Sequence, residues 1–283
     1  MNIFNATINP GIGDILLCRN MLDTIKHQYD AIVLSPNASI VMGFREVYEK
    51  MYYNFCLTFM KEVFSIPPYK VIENSSFQRF SPIDNQFCGL PLTQDAVFKM
   101  NDYSSLLCEG VSATQIEEPY IVVTTKVRGT PTFNRYNIVF KDKVINIIMK
   151  LSEKYKVVLI GERTPPSNPE NRMIGPDRVF CLYNDLPKTG RFIDMTLDSI
   201  QTAIPDINRL KHDCVIMNKA IGVITLGIGG NMILSTMMSK KSVNFMEDIY
   251  YCGFYAGVVR QPQREGIIIT DNFHVFTKKC EEI

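Results

Sequence analysis

The chain opens with an apolar run, Ile3 to Ile8, that breaks at Gly11-Ile12-Gly13-Asp14 and restarts with apolar positions at helical spacing. Ile15, Leu16, Cys18, Leu22 and Ile25 share one face, with Arg19, Asp23 and Lys26 elsewhere, which predicts a helix from Asp14 to Tyr29. Ala31 to Leu34 then reads as a buried strand, completing a β-turn-α-β crossover of a parallel sheet. A second helix, from about Val41 to Phe64, is dense in aromatic residues and methionine and stops before Pro67-Pro68. From Glu73 to Asp102 the pattern weakens into polar residues with short apolar pieces, as expected of loops near a site.

Beyond Pro119 the alternation of strand and helix becomes clearer. The pattern predicts strands at Tyr120 to Thr124, Lys156 to Ile160, Arg178 to Leu182, Ile221 to Thr225 and Ser242 to Phe245. Helices are predicted at Phe140 to Tyr155, Ile207 to Lys219 and Asn231 to Ser239, the last preceded by a second glycine turn, Gly227-Ile228-Gly229-Gly230-Asn231. The expected architecture is α/β, two Rossmann-like doubly wound parallel-sheet domains facing a cleft. The boundary falls at Ser112 to Glu118, giving domains 1–116 and 117–283, with the last residues expected to pack back on the first domain.

Composition narrows the function classes without choosing among them. Hydrophobic residues at 46%, charged residues at 21% and a net charge of +1 describe an ordinary globular protein without a field for nucleic acid. The eight cysteines are scattered singly, as expected of buried thiols in a reducing compartment. The start of the chain has no basic region and no completed signal-peptide core, so a cytoplasmic location is expected. No run approaches the roughly 20 apolar residues of a membrane span, and any membrane contact would be peripheral.

There is no P-loop, no G-x-S-x-G elbow, no H-E-x-x-H and no D-x-D, and His27, His212 and His274 lie far apart. A resident metal or other cofactor is not expected. The two glycine turns are the strongest signals, because glycines let the backbone approach a ligand and the first helical turn then points its free N–H groups at it. The first turn departs from a dinucleotide site: Leu16 replaces the third glycine, and the next strand ends at Leu34-Ser35-Pro36 without an acid. Asp14 is either a helix-start carboxylate that favours the macrodipole or, at the carboxyl end of the first strand, a proton acceptor for an attacking hydroxyl. Lys126 and Arg128 follow a strand and suit a phosphate-bearing ligand, or form an ordinary solvated loop. Glu162 follows the next strand as a carboxylate able to meet a ribose or base edge. Gly229, Gly230 and Asn231 offer backbone N–H groups to a diphosphate or sugar, with Asn231 alternatively capping its helix.

Together the Gly11 to Leu17 start, the strand and basic loop at Tyr120 to Arg128, the strand ending in Gly161-Glu162 and the strand-glycine turn at Ile221 to Leu234 resemble the GT-B glycosyltransferases, nearest the heptosyltransferase-like group. The resemblance covers the first 35 residues and roughly Tyr120 to Phe245. The turn lacks the Asp-Ser/Thr-Gly and following histidine of the heptosyltransferases. The resemblance implies metal-independent, inverting transfer of a sugar from a nucleoside-diphosphate donor to a glycan hydroxyl acceptor. By position it makes Asp14 the general base on an acceptor-side loop containing Gly11 and Gly13. Lys126, Arg128, Glu162, Gly229, Gly230 and Asn231 would then bind the donor. A binding protein that kept the fold without the chemistry is the alternative, and an NAD-dependent oxidoreductase a lesser one.

Overall fold

The computed structural model describes residues 1–9, 11–37, 46–82, 86–90, 101–124, 133–161, 185–196, 206–226, 230–238, 241–245 and 266–283. In chain order the first part contains β1 (Ile3–Ile8), α1 (Ile12–Ile25), a 3-10 turn (Lys26–Gln28), β2 (Ala31–Pro36), α2 (Glu46–Val63), β3 (Tyr69–Val71), β4 (Arg79–Phe80) and α3 (Ser104–Cys108). The second contains β5 (Tyr120–Thr124), α4 (Phe133–Ser152), β6 (Lys156–Ile160), β7 (Phe192–Asp194), α5 (Ile207–Lys219), β8 (Gly222–Leu226), α6 (Gly230–Met238), β9 (Ser242–Phe245), β10 (Ile267–Thr270) and α7 (Phe273–Glu281).

Two parallel sheets result, one in the order β3-β2-β1-β4 and the other in the order β10-β9-β8-β5-β6-β7. Counted from β5, the second sheet reads 3-2-1-4-5-6 from the β7 edge, the doubly wound order of Rossmann-like folds. The first sheet has the 3-2-1-4 portion of the same order. Its strand β1 alternates, with Phe4, Ala6 and Ile8 buried and Ile3 and Asn5 exposed. Strands β5, β8 and β9 are buried at every position, because helices cover both faces of the second sheet.

One apolar core is shared by both sheets. It runs from Phe4, Phe80 and the inner face of α1 (Leu16, Met21, Leu22) through Met232, Ile233 and Met237 of α6 to Val122 and Val158. A separate core on the far face joins Ile121, Val123 and Leu159 to Ile148 of α4 and Phe276 and Cys280 of α7. The expectation that the last residues pack back on the first domain is therefore corrected: α7 lies on the far face of the second sheet, and Ile283 rests against Gly222 of β8. Amphipathic α7 has to bury Phe276 and Cys280, and the open apolar face beside Phe245 takes them.

Most predicted elements fall where the periodicity puts them. Helix α1 begins earlier than predicted, because Gly11 takes the cap position in extended backbone (φ −136°, ψ 141°) and Ile12 is already helical. Strands β3, β4 and β7 have only two or three residues, too few for alternation to be read. The predicted strand at Arg178 to Leu182 lies outside the described residues.

Candidate active site at the two glycine turns

Open parallel sheets hold ligands beyond the carboxyl ends of their strands, where the strand order reverses. In the first sheet that point lies between β1 and β4, and in the second between β5 and β8. Gly11, Gly13 and Asp14 follow β1 directly, and Gly230 and Asn231 open the helix after β8. Lys126, Arg128, Glu162 and Gly229 lie outside the described residues.

Around the first turn the structure brings together residues from three segments. Asp14 is the third residue of α1, where the helix dipole favours a carboxylate. Asn9, one residue past β1, donates from Nδ2 to Asp14 Oδ1 at 3.4 Å. Arg79 of β4 in turn donates from Nε to Asn9 Oδ1 at 2.7 Å. Arg79 arrives there because β4 pairs with the end of β1, Thr7 opposite Arg79 and Ile8 opposite Phe80. The other carboxylate oxygen lies over Gly11, where an added Cβ would stand 2.6 Å from Asp14 Oδ2. Beneath it, Cys18 is fully buried and its thiol is pushed well above the usual range, first by burial and then by the Asp14 charge, so it stays protonated.

The two turns touch. A Cβ built on Gly13 would lie 3.3 Å from Ile233 Cγ1 and 3.7 Å from Gly230 Cα, and one built on Gly230 would lie 3.4 Å from Ile12 Cβ. Two helix starts approach this closely only if neither carries a side chain at the contact. The two helix starts therefore pack directly on one another. Gly13 lies inside the first turn of α1 rather than in the preceding loop. Asn231, the second residue of α6, lies past the cap position that one alternative gave it.

The helices are anchored by different means. Arg19 and Asp23 of α1 form a buried ion pair at 2.8 Å, and both Tyr69 and Tyr103 donate their hydroxyls to Asp23 at 2.8 Å. Arg19 also donates to the Val63 carbonyl at 2.6 Å, the last residue of α2, and its guanidinium lies 4.4 Å above the Tyr69 ring. Burial pushes the Asp23 carboxyl up, but the Arg19 hydrogen bond and charge with the two tyrosine hydroxyls outweigh it and hold the group below its ordinary value. Helix α6 is held by neutral groups: Asn244 of β9 accepts from Thr225 and Ser235, each at 2.7 Å, and donates to Ser242 and the Ile268 carbonyl. The segment before α3 stitches the two helices together, Asn101 N to Asn20 Oδ1 and Tyr103 N to the Met237 carbonyl, each at 2.9 Å.

Sequence reasoning passed over one residue of the second switch point. Thr124 ends β5, is fully buried, and its hydroxyl has no hydrogen-bond partner among the described residues. It shares the face of Val122, on the same side as α6, and comes next after the pair Val123 and Ile224. An unmatched buried hydroxyl costs about 1–3 kcal/mol, which makes Thr124 a residue whose hydroxyl calls for an explanation. The available signal was a threonine closing an otherwise apolar strand.

No protein-family model matches the chain, and no curated protein sequence matches it. Among solved structures it is similar to the dodecameric iron-containing heptosyltransferase TibC in complex with ADP-D-beta-D-heptose, at 13% identity and a TM-score of 0.43 over 87% of this chain. The match covers 58% of that chain, so this protein spans less than two thirds of its length. No helix among the described residues is long and apolar enough to cross a membrane.

Proposed function

We propose that this protein is a metal-independent glycosyltransferase that moves a sugar from a nucleoside diphosphate to a glycan hydroxyl, with inversion, and that Asp14 is its general base. One observation carries the reading: the first turns of α1 and α6 are in contact at the switch points of two parallel sheets. A carboxylate able to take a proton and a helix start able to receive an anion then share one locale. Sugar transfer needs both together, since the acceptor hydroxyl loses a proton while the departing diphosphate gains charge. In this reading the diphosphate rests on the N–H groups of Gly229, Gly230 and Asn231 with Lys126 and Arg128 nearby. Glu162 meets the nucleoside, and Thr124 supplies a further donor.

The test begins with thermal shift against UDP-glucose, UDP-N-acetylglucosamine, GDP-mannose, ADP-glucose and ADP-heptose, because a ligand that binds only the folded chain raises its apparent stability. The ligand that shifts the transition is then assayed for release of nucleoside diphosphate. Asp14→Asn is expected to lose turnover by two or more orders of magnitude while keeping the thermal shift. Full turnover in Asp14→Asn removes Asp14 from the mechanism, and binding without turnover in the native chain favours a binding protein.

A further inference from the structure

A carboxylate that takes a proton from a hydroxyl has to be ionised beforehand and held in one orientation. The structure shows the orientation, through side chains packed around Asp14. The guanidinium of Arg79 only donates, so its 2.7 Å hydrogen bond from Nε fixes which end of the Asn9 amide faces it, namely Oδ1. The amide NH2 is thereby turned toward Asp14, where Nδ2 reaches Oδ1. A carboxylate accepts that bond, whereas a flipped amide would present oxygen to oxygen and repel it. Gly11 sets the second constraint, since Asp14 Oδ2 occupies the space a Cβ at that position would take.

We propose that Arg79 and Asn9 are positioning residues for Asp14, Arg79 orienting the Asn9 amide and the amide holding the carboxylate ionised over Gly11. This rests on the reading of Asp14 as the base, which it deepens. It also gives β4 a purpose, because pairing Arg79 and Phe80 with Thr7 and Ile8 at the end of β1 is what delivers Arg79 to the site.

The test is made on the full chain without ligand, by carbon-13 NMR titration of the aspartate carboxyls, with Asp14 identified by its absence in Asp14→Asn. In Asn9→Ala and Arg79→Met the Asp14 midpoint is expected to rise by about one pH unit, since hydrogen bonds to the charged form favour it. Arg79→Lys is expected to fall between these and the native chain, because its charge remains while the fixed Nε–H is lost. Gly11→Ala is the control for folding: extended backbone accepts alanine, and the clash is with a movable side chain, so the fold is kept while Asp14 is displaced. It is expected to give the same upward shift with Arg79 and Asn9 intact. Unchanged midpoints in both Asn9→Ala and Arg79→Met would overturn the proposal, whatever Gly11→Ala does. Where a nucleotide sugar from the panel is turned over, the acidic limb of the kcat profile should move up with the midpoint while donor KM stays constant. An unmoved profile beside a lost Asp14→Asn activity sinks the positioning role alone. Retained Asp14→Asn activity sinks the base reading instead.

Discussion

The starts of α1 and α6 are built on the same backbone plan and equipped differently. Each follows a parallel strand at a switch point, and each has a glycine in its first turn, Gly13 or Gly230, pressed against the other helix. Helix α1 carries Asp14 in its first turn and is fixed by a charged cluster around Arg19 and Asp23. Helix α6, from Gly230 to Met238, carries no charged side chain and is fixed by amide and hydroxyl groups around Asn244. The difference separates two chemistries at adjacent helix starts: α6 offers backbone donors without a nearby charge of its own, while α1 brings a carboxylate, the pair of features on which the proposed sugar transfer rests.

Removing the charged anchor should cost most. Arg19→Leu leaves Asp23 buried beside Tyr69 and Tyr103 without its main partner, and a loss of about 3–5 kcal/mol is expected in urea unfolding. The same anchor makes α1 the acid-sensitive helix. The folded-state pKa of Asp23 is depressed, so its stabilisation is complete above the ordinary carboxylate value of ~4 and is lost as pH falls through the lower folded value. Asp23→Asn should therefore flatten the decline of stability below pH ~4. An unchanged pH dependence would remove the electrostatic half of the comparison.

The neutral anchor should break with a smaller effect and no acid signature. Asn244→Ala orphans the Thr225 hydroxyl, leaves Ser235 only the Met232 carbonyl and removes the amide's bonds to Ser242 and Ile268, and is expected to cost about 3 kcal/mol, equally at pH 4 and pH 7. Next comes the contact between the turns. Gly13→Val drives a branched side chain into Ile233 and the Gly230 backbone, for an expected loss of about 2 kcal/mol measured by calorimetry. A neutral result there would show that the turns are not in contact in solution.

The smallest effect has the opposite sign. Thr124→Val removes a buried hydroxyl that has no partner among the described residues, so stability should stay level or rise by up to about 1 kcal/mol. The thermal shift given by the selected nucleotide sugar should shrink at the same time. Loss of stability instead would mean that the hydroxyl serves the fold rather than a ligand.

The regular elements were largely legible because strong periodicity survives in a single chain. Strand β5, helix α5 and strand β9 fall at their predicted bounds, since each is a run of apolar residues at one clear spacing. Helix α7 and strand β10 were left unread, although Asn272 caps the helix with hydrogen bonds to the His274 and Val275 N–H groups. The site was legible only as isolated residues. Asp14, Gly13 and Gly230 stand out beside their strands, but nothing in the spacing of Asn9 and Arg79, 70 residues apart, says that their side chains meet.

By itself the sequence determined the α/β alternation, the two glycine turns and the carboxylate that only one of them carries, because these depend on backbone freedom and on neighbours a few residues away. Tertiary structure alone decided that the turns touch, that Arg79 reaches Asn9 through a two-residue strand, and that the Thr124 hydroxyl is buried without a partner among the described residues. Those facts depend on which strands lie side by side, and strand order follows from how the whole apolar surface packs.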